Sequence, residues 1–297
     1  FLSGYGTLAK ASGSAAGTAT FKFTAASDVF DYLATGESLT ITYTVTFTDG
    51  TVTTDKSFTV TITGTNDAPL ITQAQSDTVG VFKGAVTEDV GSASDATKLV
   101  TTGSFDFTDV DYSNRPRVDS VTLVAGSITY STLAETRNAA KDTALEAALA
   151  TALEAKLHTG AVNNGTVDWT FTLDNSKAQY LRQGETVTAT YTVVLKDTAD
   201  VAVSRTVTVT LTGANDAPET VVIANQTYAE QATTTAISEN ISVSFTDVDF
   251  SETGHTLVFK SAAITAGTNK PTAFTQSELS DLLSNYGVTK AAGSSAA

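Results

Sequence analysis

The stretch "LTITYTVTFTDG", residues 39–50, alternates apolar and polar side chains with period two. Leu39, Ile41, Tyr43, Val45 and Phe47 fall on one side of an extended chain, with threonines on the other. Such a segment reads as a strand with one face in a core and one in water, and its Thr, Val, Ile and Tyr suit a pleated surface. "SFTVTITG" (57–64), "VTATYTVVLKD" (187–197) and "RTVTVTLTG" (205–213) carry the same alternation. Asp49-Gly50, between two of these runs, marks a hairpin turn. Many short strands without helices alternating between them predict an all-β chain built as antiparallel sandwiches.

The pattern also returns. "LATGESLTITYTVTFTD" (33–49) aligns with "LRQGETVTATYTVVLKD" (181–197), pairing Gly36 with Gly184, Glu37 with Glu185, Tyr43 with Tyr191 and Asp49 with Asp197. Further on, "TGTNDAP" (63–69) becomes "TGANDAP" (212–218), and upstream "FKF" (21–23) matches "WTF" (169–171). A second pair runs out of phase with these: "FDFTDVDYS" (105–113) against "VSFTDVDFS" (243–251), preceded by "VTED" (86–89) and "ISEN" (237–240). One arrangement accommodates all of this. Residues 70–218 form a complete repeat, 1–69 the C-terminal part of another, and 219–297 the N-terminal part of a third. The last sixteen residues also resemble the first sixteen, as expected of an interior window on a longer array. The recurring aromatics Phe21, Phe23, Trp169 and Phe171 are expected in cores, as are Tyr43 and Tyr191.

One segment breaks the strand pattern. Residues 131–160, "STLAETRNAAKDTALEAALATALEAKLHTG", are rich in the helix formers Ala, Leu and Glu. Thr132 with Glu135 has capping-box spacing, Gly160 suits a C-terminal cap, and Leu145, Leu149, Leu153 and Leu157 make one helical stripe. A short helical insert packed on the sandwich is therefore expected, with a shorter counterpart in "TQSELSDLLSNYG" (275–287).

Charge and composition narrow the function classes. With 17 Lys+Arg against 32 Asp+Glu the net charge is −15, which argues against nucleic-acid binding and fits either a solvated acidic surface or acids neutralised in part by cations. The absence of Cys excludes disulfides and thiolate chemistry. His158 and His255 are the two histidines, far apart in sequence, which argues against a His-built triad or zinc site. His255 follows the turn-like "SETG" and is expected on the surface. No apolar run reaches the ~18–20 residues needed to cross a bilayer, so no membrane insertion is expected.

The acids carry the chemical signal. Asp109 and Asp111 flank Val110, and Asp247 and Asp249 flank Val248, each pair following an apolar run. Two like charges on one face of a strand repel unless a cation lies between them, and clustered oxygens without His or Cys suit Ca2+. Carboxylate pairs also serve glycoside hydrolysis, but these recur with the fold period, which points to a structural task and away from an enzyme. "NDAP" is equally a turn signal, with Pro stopping the strand, and the residues alone leave both readings open.

The segments "YTVTFTDG…TVTITGTNDAP" and their second copy resemble the VCBS repeats of giant bacterial surface adhesins of the RTX type. More distantly the pattern is similar to cadherin repeats, in which a linker Asn-Asp, an Asp-x-Asp pair and a Glu bind calcium between consecutive domains. The resemblance implies tandem Ig-like, cadherin-like sandwiches, secreted to the cell surface, with adjacent repeats of the same protein as partners. It implies a first calcium site from Asn66, Asp67, Asp109, Asp111, Asp197 and Glu37, and a second from Asn215, Asp216, Asp247, Asp249, Glu88 and Glu185. Asp49 and Glu239 would serve further junctions. The linkers offer fewer ligands than the cadherin pattern, which implies one or two ions at each. The expected function is a non-catalytic extender stiffened by calcium. Two alternatives stay open: a fibre subunit whose half-repeats are completed by neighbouring copies, and a sugar- or peptide-binding adhesion module.

Overall fold

A computed structural model describes residues 8–10, 12–75, 78–91, 96–131, 137–158, 160–220, 223–229, 232–233, 237–250, 252–258, 260–265 and 276–283. Two three-residue strands, β1 (Leu8–Lys10) and β2 (Gly17–Ala19), pair first. The alternating stretch at the head of the sequence then forms β3 (Ser38–Thr48), which pairs antiparallel with β4 (Thr53–Thr63) through all eleven residues. Asp49 closes the turn, its Oδ1 accepting from the backbone N–H of Thr51 and Val52 at 2.8 Å each. Tyr43 and Phe21 both stack on Phe58, with ring centroids 5.5 and 5.4 Å away.

Two larger sheets follow. β5 (Leu70–Ile71), β6 (Lys83–Thr87), β7 (Lys98–Thr108), β8 (Arg117–Leu123) and β9 (Thr129–Tyr130) precede helix α1 (Ala139–Leu149). β10 (Leu153–Leu157), β11 (Asn164–Asp174), β12 (Thr186–Lys196) and β13 (Ala202–Thr212) come after it. One sheet has the order β10-β11-β7-β5, the other β6-β13-β12-β8 with β9 also on β12. Among the described strands all pairings are antiparallel except β6 with β13. Phe105, Phe107, Val167, Trp169 and Phe171 of the first sheet meet Val187, Tyr191, Val193, Val207 and Val209 of the second in one apolar core. The fold is thus an antiparallel β-sandwich, and its alternating strands bury one face as their period requires. The Trp169 indole N–H donates to the carbonyl of Val81 at 2.7 Å, so the largest core side chain is also hydrogen-bonded.

The helical insert is shorter than its composition predicts. α1 starts at Ala139, with Asn138 Oδ1 accepting from the N–H of Lys141, and ends at Leu149. Thr132 and Glu135 lie outside the described residues. Leu145 and Leu149 are buried on the helix, but Leu153 and Leu157 belong to β10, opposite Phe171 and Val167 of β11. Gly160 stands after that strand and caps no helix. Pairing with an available sheet edge outweighs the few tenths of a kcal/mol per residue by which helix propensities differ. Two phenols fix α1: Tyr191 donates to the Leu149 carbonyl at 2.8 Å and Tyr180 to Asp142 at 2.6 Å.

Beyond the sandwich, β14 (Glu219–Thr220) pairs with β15 (Phe245–Thr246), and a six-residue helix, α2 (Gln276–Asp281), lies in the segment expected to be helical. The similar sequences at the two ends lie mostly outside the described residues. Among the described residues, no helix is long and apolar enough to cross a membrane.

Candidate metal centre

Each "NDAP" segment follows the last long strand of one repeat and runs into the next. The chain is drawn tight there. Gly64 donates its N–H to the Glu37 carbonyl at 2.9 Å, and Gly213 donates to that of Glu185 at 2.8 Å. A Cβ on Gly64 would lie 2.2 Å from the Leu33 carbonyl oxygen, and one on Gly213 would lie 2.4 Å from that of Arg182. Only glycine permits this approach.

At the first joint the Asp67 N–H donates to Asp111 Oδ2 at 2.8 Å, and Asn66 Nδ2 donates to Asp197 Oδ2, also at 2.8 Å. The Asp111 N–H donates to Asp109 Oδ1 at 3.0 Å, which folds the Asp-x-Asp segment back on itself. Asn114 inserts its amide among these acids, 3.0 Å from Asp111 Oδ2, 3.4 Å from Asp109 Oδ2 and 3.2 Å from Asn66 Oδ1. Glu37 accepts from the N–H of Ala34 at 3.0 Å, and its charge is felt at Asp111. A backbone hydrogen bond from Tyr112 to the Tyr32 carbonyl, 3.1 Å, ties the two repeats together beside the acids.

The second joint repeats this plan. The Asp216 N–H donates to Asp249 Oδ2 at 2.8 Å, and the Asp249 N–H to Asp247 Oδ1 at 2.9 Å. Asn215 donates to the carbonyl of Asp216, as Asn66 does to that of Asp67, both at 2.8 Å. The Phe250 N–H donates to the Tyr180 carbonyl at 3.2 Å. Glu88 Oε2 accepts from the N–H of Ala214 at 3.1 Å, and Asp216 Oδ1 accepts from the N–H of Gly91 at 2.5 Å. Glu185, also buried, accepts from the N–H of Arg182 at 3.1 Å.

Of the twelve residues the sequence singles out, the structure gathers Asn66, Asp67, Asp109, Asp111 and Asp197 around one joint, with Glu37 at its margin. Asp216, Asp247, Asp249 and Glu88 gather around the other. Asn215 is exposed, and Glu185 holds the turn leading into β12. Asp49 and Glu239 are exposed, and Asp49 is occupied in its own hairpin.

The clusters are costly as they stand. Asp111, Asp197, Asp216 and Asp249 are fully buried, and Glu88, Asp109 and Asp247 nearly so. Among the described residues, no Lys or Arg forms an ion pair with Glu88, Asp109, Asp111 or Asp197. Burial, opposed by the N–H of Ala214 and reinforced by neighbouring Asp216 and Asp249, pushes Glu88 up to about 9. Burial likewise carries Asp249 to about 7 and raises Asp109 and Asp111. Asp111 Oδ1 and Glu88 Oε1 are buried with no hydrogen-bond partner among the described residues. A set of clustered carboxylate and amide oxygens is the donor chemistry that Ca2+ takes.

Two residues of these clusters escape the sequence reading. Asn114 carries no charge and stands outside the Asp-x-Asp pair, so only the folded turn shows that its amide serves the acids. His255, expected on the surface, has a side chain only 9% exposed, with Nε2 2.6 Å from Asp247 Oδ2. Its ring lies against Phe245, 5.0 Å between ring centroids.

No family model and no curated protein matches the chain. Among solved structures, a protocadherin gammaB7 EC3-6 cis-dimer structure is similar at 14% identity and a TM-score of 0.30, over 86% of this chain and 52% of that one. Mouse clustered PcdhgC3 EC1-3 is similar at 17% identity and a TM-score of 0.28, over 72% and 55%. The CooA pilin subunit of enterotoxigenic Escherichia coli is similar at 12% identity and a TM-score of 0.26, over 50% and 99%.

Proposed function

We propose that this chain is a non-catalytic extender of a secreted, cell-surface adhesion protein, in which calcium at each joint stiffens a row of β-sandwich repeats. The observation that carries the reading is the pair of joints built alike, each setting a linker Asp against the buried carboxylates of the Asp-x-Asp pair in the following repeat. Asn66, Asp67, Asp109, Asp111, Asp197 and Glu37 would hold the ion at the first joint; Asp216, Asp247, Asp249 and Glu88 would hold it at the second, with Asn215 and Glu185 at its edge. A divalent cation there neutralises the acids, favours the folded state by mass action and removes the freedom of the linker. The sequence resemblance to VCBS repeats of RTX-type adhesins supports the same assignment. In small-angle scattering and thermal melts, chelation is expected to shorten the particle and lower its melting temperature. Identical curves with and without chelator would refute calcium as the stiffener.

A second reading is supported by the ribbon β3–β4. These strands pair only with each other among the described residues, whereas their counterparts β12 and β13 are flanked by β8, β9 and β6. Open edges of this length accept further strands, so neighbouring copies would complete the ribbon in a fibre. Ordered fibres of the isolated chain in electron microscopy would favour this arrangement, and a monodisperse monomer would exclude it.

A further inference from the structure

We infer that the second joint also holds a transition-metal ion of the zinc type, on Asp247, Glu252 and His255, distinct from a calcium ion and sharing only Asp247 with the calcium set proposed above. Past their Asp-x-Asp pairs the two joints diverge in the turn that follows, Asn114-Arg115-Pro116-Arg117 at the first and Glu252-Thr253-Gly254-His255 at the second, so Glu252 stands where the first has Asn114, and His255 where it has Arg117. The exchange reverses the local chemistry. Asn114 quiets the first cluster with donated hydrogen bonds, while Glu252 adds a carboxylate and His255 adds an imidazole nitrogen. His255 Nε2 lies 2.6 Å from Asp247 Oδ2 and 3.9 Å from Glu252 Oε2, and one donor atom from each of the three residues lies within 4.8 Å of the others. Ligands of a tetrahedral zinc ion, at 2.0–2.2 Å from the metal, stand about 3.3 Å from one another, so small side-chain rotations suffice.

A structural His–Asp pair ordinarily has both ring nitrogens satisfied. Here the imidazole is nine-tenths buried, packed against Phe245, and its Nδ1 has no hydrogen-bond partner among the described residues, so its polar contacts run to the acid cluster through Nε2. Asp247 can serve both functions, since its Oδ1 accepts from the Asp249 N–H and its Oδ2 faces the imidazole. Glu252, at 29% exposure, is the member open to solvent, which provides an entry path and a position for water as fourth ligand. One nitrogen with two carboxylates selects zinc, cobalt or manganese over calcium, which takes oxygen alone.

The test is titration of the full chain with ZnCl2 in saturating calcium, followed by calorimetry and by imidazole NMR. Two histidines make the spectrum readable, and His158→Gln assigns it while removing the exposed His158–Asp168 pair as a competing site. One equivalent of zinc is expected to move the His255 ring signals. His255→Gln, which keeps a donor for Asp247, and Glu252→Asn, which installs the first joint's residue, are each expected to weaken binding more than ~100-fold, since even outer-shell changes cost 10–100-fold. Unmoved His255 signals, or zinc affinity unchanged in His255→Gln, would overturn the inference; neither outcome bears on calcium at the first joint, which holds no histidine.

Discussion

Glu88→Gln isolates the electrostatic cost of the second joint. In calcium-free protein the folded state holds the Glu88 proton up to about 9, against an ordinary 4.5. A raised folded-state value means stability that is complete below pH 4.5 and lost as pH rises toward 9. The loss is ~1.4 kcal/mol per pH unit, so about 3 kcal/mol is gone by pH 7. At ~2–4 °C per kcal/mol for a domain of this size, that is roughly 6–12 °C of melting temperature. Gln at this position does not titrate, and its amide oxygen can still accept from Ala214. Asp249, Asp109 and Asp111 titrate in both proteins, so the difference between the two belongs to Glu88. Melts in chelator between pH 4.5 and 7 should therefore show the native curve falling below that of Glu88→Gln by that amount. Adding calcium should then rescue the native protein more than the variant. Parallel pH curves in chelator would refute the argument that buried, unpaired charge at the joint opposes folding.

Two further outcomes follow from packing. Gly213→Ala brings a Cβ to 2.4 Å from the Arg182 carbonyl oxygen and is expected to cost at least about 2 kcal/mol in denaturant melts, while weakening calcium binding at the second joint only. Tyr191→Phe removes the buried hydrogen bond to Leu149 and should cost about 1–2 kcal/mol, with loss of α1 from the helical circular-dichroism signal.

The sandwich was legible because its evidence is local. A period-two run such as Thr186–Lys196 states which side chains face inward, and burial alternates along it as written. The Asp-x-Asp pairs and "NDAP" segments were equally visible, since recurrence marks positions that the fold uses twice. Leu153 was misread because a spacing of four fits both a helical stripe and a helix followed by a strand. Only the free edge of β11 decides between them.

By itself the sequence determined the strand periods and displayed the recurring segments with their acids, because these depend on neighbours along the chain. What the tertiary structure decided was which acids meet, and how deeply. Asp197 reaches Asn66 across 131 residues, Asn114 turns its amide into the first cluster, and His255 folds inward at the second. Those contacts depend on how the strands close into sheets and how the linker glycines draw successive repeats together. No window of local sequence contains that information.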